Sequence, residues 1–304
     1  MSRKVIVTVA PTGGFATRVQ NPHLPTQPDE IAGDVARCHT AGASVAALHA
    51  RLPNDEPTCD ATIYGRINTL IRERCDIVIN NSGGGGVTGA MGRRLSDDLW
   101  EVDLDERMKA ADAGAEIVTL NAMTVLATLA GRETLLTASP RRARIFAQRL
   151  RDRGIKPEWE AFSPAHLMQD MRTLAAEGLD PAPHIVNLCL GFDHVFQGAM
   201  PYSPKILQMM VELLPAGSVF SVAAAGAAQL PATTHALLLG GHVRVGLEDS
   251  LDYLPGDPAS NPRLVERMVR IIRELGMEPA TPIEAREILG LVPSKPQARA
   301  EQAA

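Results

Sequence analysis

Short apolar runs rich in Val and Ile recur along the chain, each followed by a longer stretch in which apolar positions return at helical spacing. The runs cover residues 5–10, 44–50, 76–81, 116–121, 156–162, 184–191, 218–223 and 242–248. Their starts lie roughly 24 to 40 residues apart, room for a strand, a helix and two loops. The first runs are almost continuously apolar, as strands buried on both faces of a parallel sheet must be. The segments between carry helix signals. Gln27, Pro28, Asp29 and Glu30 lead into 31–41, which stops at Gly42. Asp60 opens a helix to about Arg74. Ser139 with Pro140, Ser163 with Pro164, Ser203 with Pro204 and Asn261 with Pro262 repeat a cap-then-proline start.

Eight strand–helix units without a Pro/Ser-rich linker predict an α/β fold, a single (β/α)8 barrel over residues 1–291. An open doubly wound sheet is the other arrangement that such alternation allows. A dinucleotide site is a poorer fit: Gly83, Gly84, Gly85 and Gly86 follow a strand without the G-x-G-x-x-G spacing, and a loop permitting close backbone approach describes them better. Residues 292–304, rich in Pro, Gln and Ala, predict a flexible tail.

Composition removes several function classes. The formal charge is −5, from 30 Lys+Arg against 35 Asp+Glu, without the basic excess of a nucleic-acid surface. At 45% hydrophobic and 21% charged residues the chain is not of disordered type. No apolar run approaches the roughly 18 to 20 residues that cross a bilayer, and the N-terminus lacks the apolar core of a signal peptide. Cys38, Cys59, Cys75 and Cys189 share no C-x-x-C spacing, which points to reduced thiols in a cytoplasmic protein.

In a closed barrel of this kind the chemistry sits at the carboxyl ends of the strands. Strand one ends in Pro11, Thr12, Gly13, Gly14 and Phe15; strand two in His49, Ala50 and Arg51; strand three in Asn80, Asn81, Ser82 and the glycine run. Thr119 and Asn121 share a face of strand four, and Glu158 and Glu160 share a face of strand five. Each has a plain structural alternative: a hydrogen-bonded histidine, a strand terminator, a solvated edge. The strand-eight group is harder to dismiss. Arg244, Gly246 and Glu248 share one face with Asp249 just beyond, and inward-pointing charges so close must be paired or ligated.

Gly241-His242-Val243-Arg244-Val245-Gly246-Leu247-Glu248-Asp249 resembles the strand-eight signature of the β-keto acid cleavage enzymes, the family of 3-keto-5-aminohexanoate cleavage enzyme. Thr8 to Gly13, Ala41 to Ser44, Leu48 to Arg51 and Ile155 to Glu160 agree in the same order, so the resemblance runs from about residue 4 to Leu291. It implies a barrel that binds Zn²⁺ and exchanges a β-keto acid and acetyl-CoA for acetoacetate and a new acyl-CoA. By the same resemblance His49 and Glu248 match metal ligands, Asp249 the general base, and Arg244 the residue that orients it. Ser82, Gly84, Gly85, Thr119 and Asn121 fall where the family holds its substrate. It also implies a homo-oligomer, a tetramer in many members; the stretches 206–214 and 223–230 could supply contacts or simply be core.

Two positions depart from the pattern. The first His of the family's His-x-His is Ala47, and the strand-one glutamate corresponds to Phe15. A catalytic zinc normally has three protein ligands, and the matched positions offer two, with His23 and His235 as conceivable substitutes. Phe15 makes the pocket less polar, so a substrate other than an amino-bearing keto acid is expected. Two other functions fit the same residues: a non-catalytic, ligand-sensing barrel, and a metal-dependent carbon–carbon lyase that does without CoA.

Overall fold

The computed structural model describes residues 2–121, 123–129 and 131–291; the expected tail, 292–304, lies outside them. Eight parallel strands close a barrel: β1 (Val7–Val9), β2 (Val45–Leu48), β3 (Val78–Ser82), β4 (Ile117–Asn121), β5 (Lys156–Ala161), β6 (His184–Leu190), β7 (Ser218–Ala224) and β8 (His242–Val245). Each pairs with the next in sequence, and β8 closes on β1 with Arg244 beside Thr8. All eight lie where the apolar runs predicted them.

The helix starts lie where expected, but two caps differ. Asn261 is already inside its helix, behind Ser260, with its side chain bonded to Leu247, Pro11 and Asp34. Ser163 precedes its helix without a side-chain cap. Glu30 accepts the backbone N–H groups of Thr26 and Gln27 (3.0 and 3.1 Å) ahead of helix Pro28–Ala41, and the chain leaves that helix through Gly42 at φ 117°. The side chains of Asp60, Ser139 and Ser203 accept N–H groups from the first turns of the helices that follow them. Caps of this kind stabilise a helix by about 1 kcal/mol each.

The apolar side chains divide into an outer layer and a floor. Ala46, Leu48, Ile79, Leu120 and Val186 point outward and pack with Ile31, Val35, Phe146 and Leu264 of the surrounding helices. Inside, Ile6, Val45, Val78, Ile117 and Ile185 form a floor, sealed from below by Ala285 and Leu289 at the C-terminal helix Pro282–Ile288. Above the floor the interior turns polar. Thr119 Oγ1 donates to Glu158 at 2.7 Å and lies 2.8 Å from Asn80 Oδ1, and Asn80 Nδ2 donates to Glu158 at 2.8 Å, joining three strands.

His242 sits at this level with its Nδ1 accepting the N–H of Ile6 at 3.0 Å. Burial, aided by Arg3, lowers it from an ordinary 6.5 to about 4. The unfolded chain therefore binds this proton more readily than the folded one, and stability that is complete above pH 6.5 drains away as the pH falls toward 4. The site's share of that loss is expected to be about 3 kcal/mol. His242→Gln keeps an acceptor but cannot titrate, so denaturation midpoints measured from pH 7 to 4 should fall less steeply than in the parent. Identical slopes would show that His242 does not govern them.

One architectural feature has no counterpart in the sequence expectations. Gly92–Arg94, Leu99–Val102, Val125–Leu129 and Arg132–Leu136 form a separate four-stranded sheet, inserted after β3 and β4. Ala127 bridges to Phe196, and Val125, Ala127 and Leu136 pack with Phe162, Phe192 and Phe196 beside the carboxyl ends of β5 and β6. The added sheet thus roofs one side of the barrel mouth.

Candidate active site

The turn after β8 builds the site. β8 stops at Val245, three residues short of the predicted 248, because Gly246 runs against β1: a Cβ there would lie 2.0 Å from the carbonyl oxygen of Ala10. At φ 154° only glycine fits comfortably. The chain then turns, with Glu248 N donating to Ala10 O at 3.1 Å and Asp249 N to Gly246 O at 3.1 Å. Glu248 and Asp249 are therefore offered from a turn rather than from the strand, and both fold back onto Arg244. Gly13 permits the close fit on the other side, since a Cβ there would meet Glu248 Cγ at 2.5 Å.

Arg244 is the hub. Its Nε and one terminal nitrogen grip Asp249 at 3.0 and 2.8 Å; the latter also reaches Glu248 at 2.5 Å, and the other terminal nitrogen reaches Glu160 at 3.1 Å. His49 Nε2 lies 3.3 Å from Glu248 Oε1. One permanent cation is thus shared among three carboxylates, Asp249 buried and Glu248 and Glu160 partly so, and the consequences differ between them. Burial pushes Asp249 up to about 7; Arg244 opposes this, while Glu248 and Glu160 add to it. Burial would also raise Glu248, but Arg244 and His49 outweigh it and hold Glu248 down. Glu160 is raised by burial, against Arg244 and with help from Glu248 and Glu158. A carboxylate that is basic near neutrality beside one that stays ionised is the separation of roles that proton-transfer chemistry uses.

The cavity at the mouth is lined by His49, Ser82, Gly84, Gly85, Glu160, Arg244 and Glu248, together with Phe15, Phe162, Phe192 and Phe196. Ser82 Oγ accepts the N–H of Gly84 at 2.9 Å, which fixes the start of the glycine loop. A larger groove of about 810 Å³ adjoins it, shares Phe15, Phe192 and Glu248 with it, and includes Asp249.

Not every expected residue reaches the cavity. Thr119 is one layer down, its hydroxyl committed to Asn80 and Glu158, and Asn121 is turned aside toward Arg107 and the carbonyls of Met123 and Leu136. Neither is among the lining residues. His23 is exposed and His235 lies on helix Gln229–Leu238, both away from the cavity. Arg51 is structural: it donates to the carbonyls of Thr12, Gly13 and Ala16 and so shapes the loop behind Phe15. Arg107, which the sequence did not single out, is fully buried, and its Nε donates to Gly83 O at 2.6 Å. In a stretch as charged as Asp103 to Lys109 it reads as a surface residue, and nothing local marks it as buried.

Whether a metal suits these residues turns on the donors present. Among the described residues no group of three or more His, Cys, Asp or Glu side chains is placed to hold an ion. His49 and Glu248 are adjacent, however, and Glu248 Oε2 is buried without a hydrogen-bond partner. Ala47, inward-facing two residues before His49, supplies no donor. The set fits a divalent ion held by one imidazole and one carboxylate, fewer than the three ligands usual for catalytic zinc.

A family model described as beta-keto acid cleavage enzyme matches residues 4–291. The chain is 35% identical, over 96% of its length and 99% of the relative's, to a 3-keto-5-aminohexanoate cleavage enzyme of Fusobacterium nucleatum. It is 32% identical, over 96% of its length and 98% of the relative's, to a 3-dehydrocarnitine:acetyl-CoA trimethylamine transferase of Rhizobium meliloti. Among solved structures, ObcA bound to oxaloacetate superposes with a TM-score of 0.69 at 20% identity, covering 89% of this chain and 68% of that one, a likeness of fold.

Proposed function

The chain belongs to the beta-keto acid cleavage enzyme family, and from that premise we propose that it exchanges acyl groups between a β-keto acid and acetyl-CoA, releasing acetoacetate and a new acyl-CoA. The observation that carries the mechanism is the grip of Arg244 on Asp249, a buried carboxylate held by two hydrogen bonds and raised to about 7. Asp249 takes a proton from the methylene between the keto and carboxylate groups. The carbanion attacks the thioester carbon of acetyl-CoA; a carbon–carbon bond forms, the carbon–sulfur bond breaks, and CoA leaves as thiolate. The thiolate then attacks the original keto carbon and the old carbon–carbon bond breaks. A new thioester and an acetoacetate carbanion result, and the carbanion recovers its proton from Asp249.

Ser82 and the backbone of Gly84 and Gly85 hold the substrate carboxylate, a role supported by their place in the cavity wall. Thr119 and Asn121 act from one step away, Thr119 by fixing Glu158 and Asn80, Asn121 by fixing Arg107 beneath Gly83. Acetyl-CoA enters along the groove that carries Asp249. Zn²⁺ or a similar ion, held by His49 and Glu248, supplies a Lewis acid that polarises a keto oxygen when bound. Four free cysteines, three of them buried, suit a cytoplasmic setting, and the exposed Leu238 near Leu230 suits contact between copies of the chain.

The test is consumption of a β-keto acid, with its products identified, in the presence and absence of acetyl-CoA. Consumption of the keto acid only when the thioester is present, with acetoacetate as a product, is expected. Cleavage at the same rate without it would replace the proposal with a CoA-independent lyase.

A further inference from the structure

We infer that the group R of the substrate, R–CO–CH₂–COO⁻, is apolar and uncharged, and that Phe15, Phe162, Phe192 and Phe196 form the wall that receives it. The inference rests on the cleavage reaction proposed above and specifies its substrate class.

The chain has only six phenylalanines, and four of them line the one cavity that holds His49, Arg244 and Glu248. They form a continuous surface. Phe162 and Phe196 have ring centroids 4.8 Å apart, Phe162 and Phe192 6.1 Å, Phe192 and Phe196 6.4 Å, and Phe15 and Phe196 5.9 Å. Val87 lines the cavity with them, and Val195, Ala199 and the inserted sheet's Val125, Ala127 and Leu136 continue the apolar packing. Phe162, Phe192 and Phe196 are each less than a tenth exposed, so the wall is fixed before a ligand arrives.

The charges decide what the wall can accept. Arg244 is the one guanidinium or ammonium group among the described residues lining the cavity, and four of its five N–H groups are given to Asp249, Glu248 and Glu160. A second substrate carboxylate, carried at the far end of R, would meet phenyl rings and no lysine or arginine of its own. An ammonium group would be desolvated against phenyl rings while the nearby carboxylates already serve Arg244. A trimethylammonium group would need ring faces turned to a common centre, but these rings are tilted against one another by 47° to 88°. An alkyl or aryl group has none of these costs and loses its water-exposed surface to the wall.

Three acids with the same six-carbon 3-oxo skeleton isolate the effect: 3-oxohexanoate, 3-oxoadipate and 3-keto-5-aminohexanoate, with a trimethylammonium-bearing 3-oxo acid as a fourth. Dissociation constants measured by calorimetry without acetyl-CoA, and kcat/KM measured with it, are the two readouts. We expect 3-oxohexanoate to bind tightest and to exceed the charged acids in kcat/KM on the order of 10²-fold. Equal binding, or tighter binding of any charged acid, overturns the inference. If none of the four is turned over but 3-oxohexanoate still binds tightest, the wall stands as described and the cleavage reaction is what fails. Phe15 is half-buried at the rim, so Phe15→Glu should fold; it should shrink the preference for 3-oxohexanoate over the amino acid about tenfold. An unchanged preference removes Phe15 from the wall.

Discussion

Asp249→Asn is expected to lower kcat by about 10² to 10⁴ while leaving KM within a few-fold of the parent. The amide keeps the shape of the carboxylate and can still meet one nitrogen of Arg244, but it cannot accept the methylene proton. Loss of fold is not the expected cause. Arg244 retains Glu248 and Glu160 at 2.5 and 3.1 Å, so its charge stays paired, and one of three carboxylates competing for a single cation has been removed. The melting temperature should therefore hold or rise. If Asp249 serves only to anchor Arg244, the opposite pattern appears: a lower melting temperature with turnover per folded molecule preserved. Measuring kcat, KM and melting temperature on one preparation separates the two.

The barrel was legible because parallel strands covered on both sides must be apolar almost throughout, and the eight runs announced themselves in order. The helix starts were legible because a side chain such as Asp60 or Ser139 ahead of the first turn answers a local need for acceptors. The inserted sheet was not. Its strands, such as Gly92–Arg94 and Leu99–Val102, are short and carry exposed charges, so neither an apolar run nor a clean alternation marks them. At the site, Arg244, Glu248 and Asp249 could be read together because they are close in sequence. The period of a strand puts Glu160 on the same face as Glu158, but its bond to Arg244 crosses from β5 to β8 and has no sequence signature. The same period puts Thr119 and Asn121 on one face of strand four, yet neither reaches the cavity. Which layer they occupy depends on the shear of the barrel, and their partners Glu158 and Arg107 follow from that geometry. The phenylalanines are scattered from Phe15 to Phe196, and only the closed mouth brings them together.

Ala47→His is expected to tighten zinc binding on the order of tenfold to a hundredfold. Val45 points into the barrel floor and His49 into the mouth cavity, so position 47, midway between them on β2, faces inward too. A histidine there would add a second imidazole beside His49 and Glu248, whose Oε2 is buried without a partner. The parent is expected to bind the ion weakly, with water filling the places a third ligand would take. Calorimetric titration of both proteins with zinc reads the difference without any reference to activity, and melting curves confirm that the variant folds. Equal affinities would mean that position 47 does not reach the ion, and no binding by either protein would remove the metal from the account.

The exchange of acyl groups leaves a carbon pattern in the products that one labelling measurement reads. With acetyl-CoA carrying heavy carbon in both acetyl positions and an unlabelled 3-oxohexanoate, the acetoacetate formed should carry the label only in its methyl and keto carbons. Its carboxylate and methylene carbons should come unlabelled from the keto acid, and the new acyl-CoA should be unlabelled too. Acetoacetate or another product without label, formed while acetyl-CoA is left intact, would contradict the account.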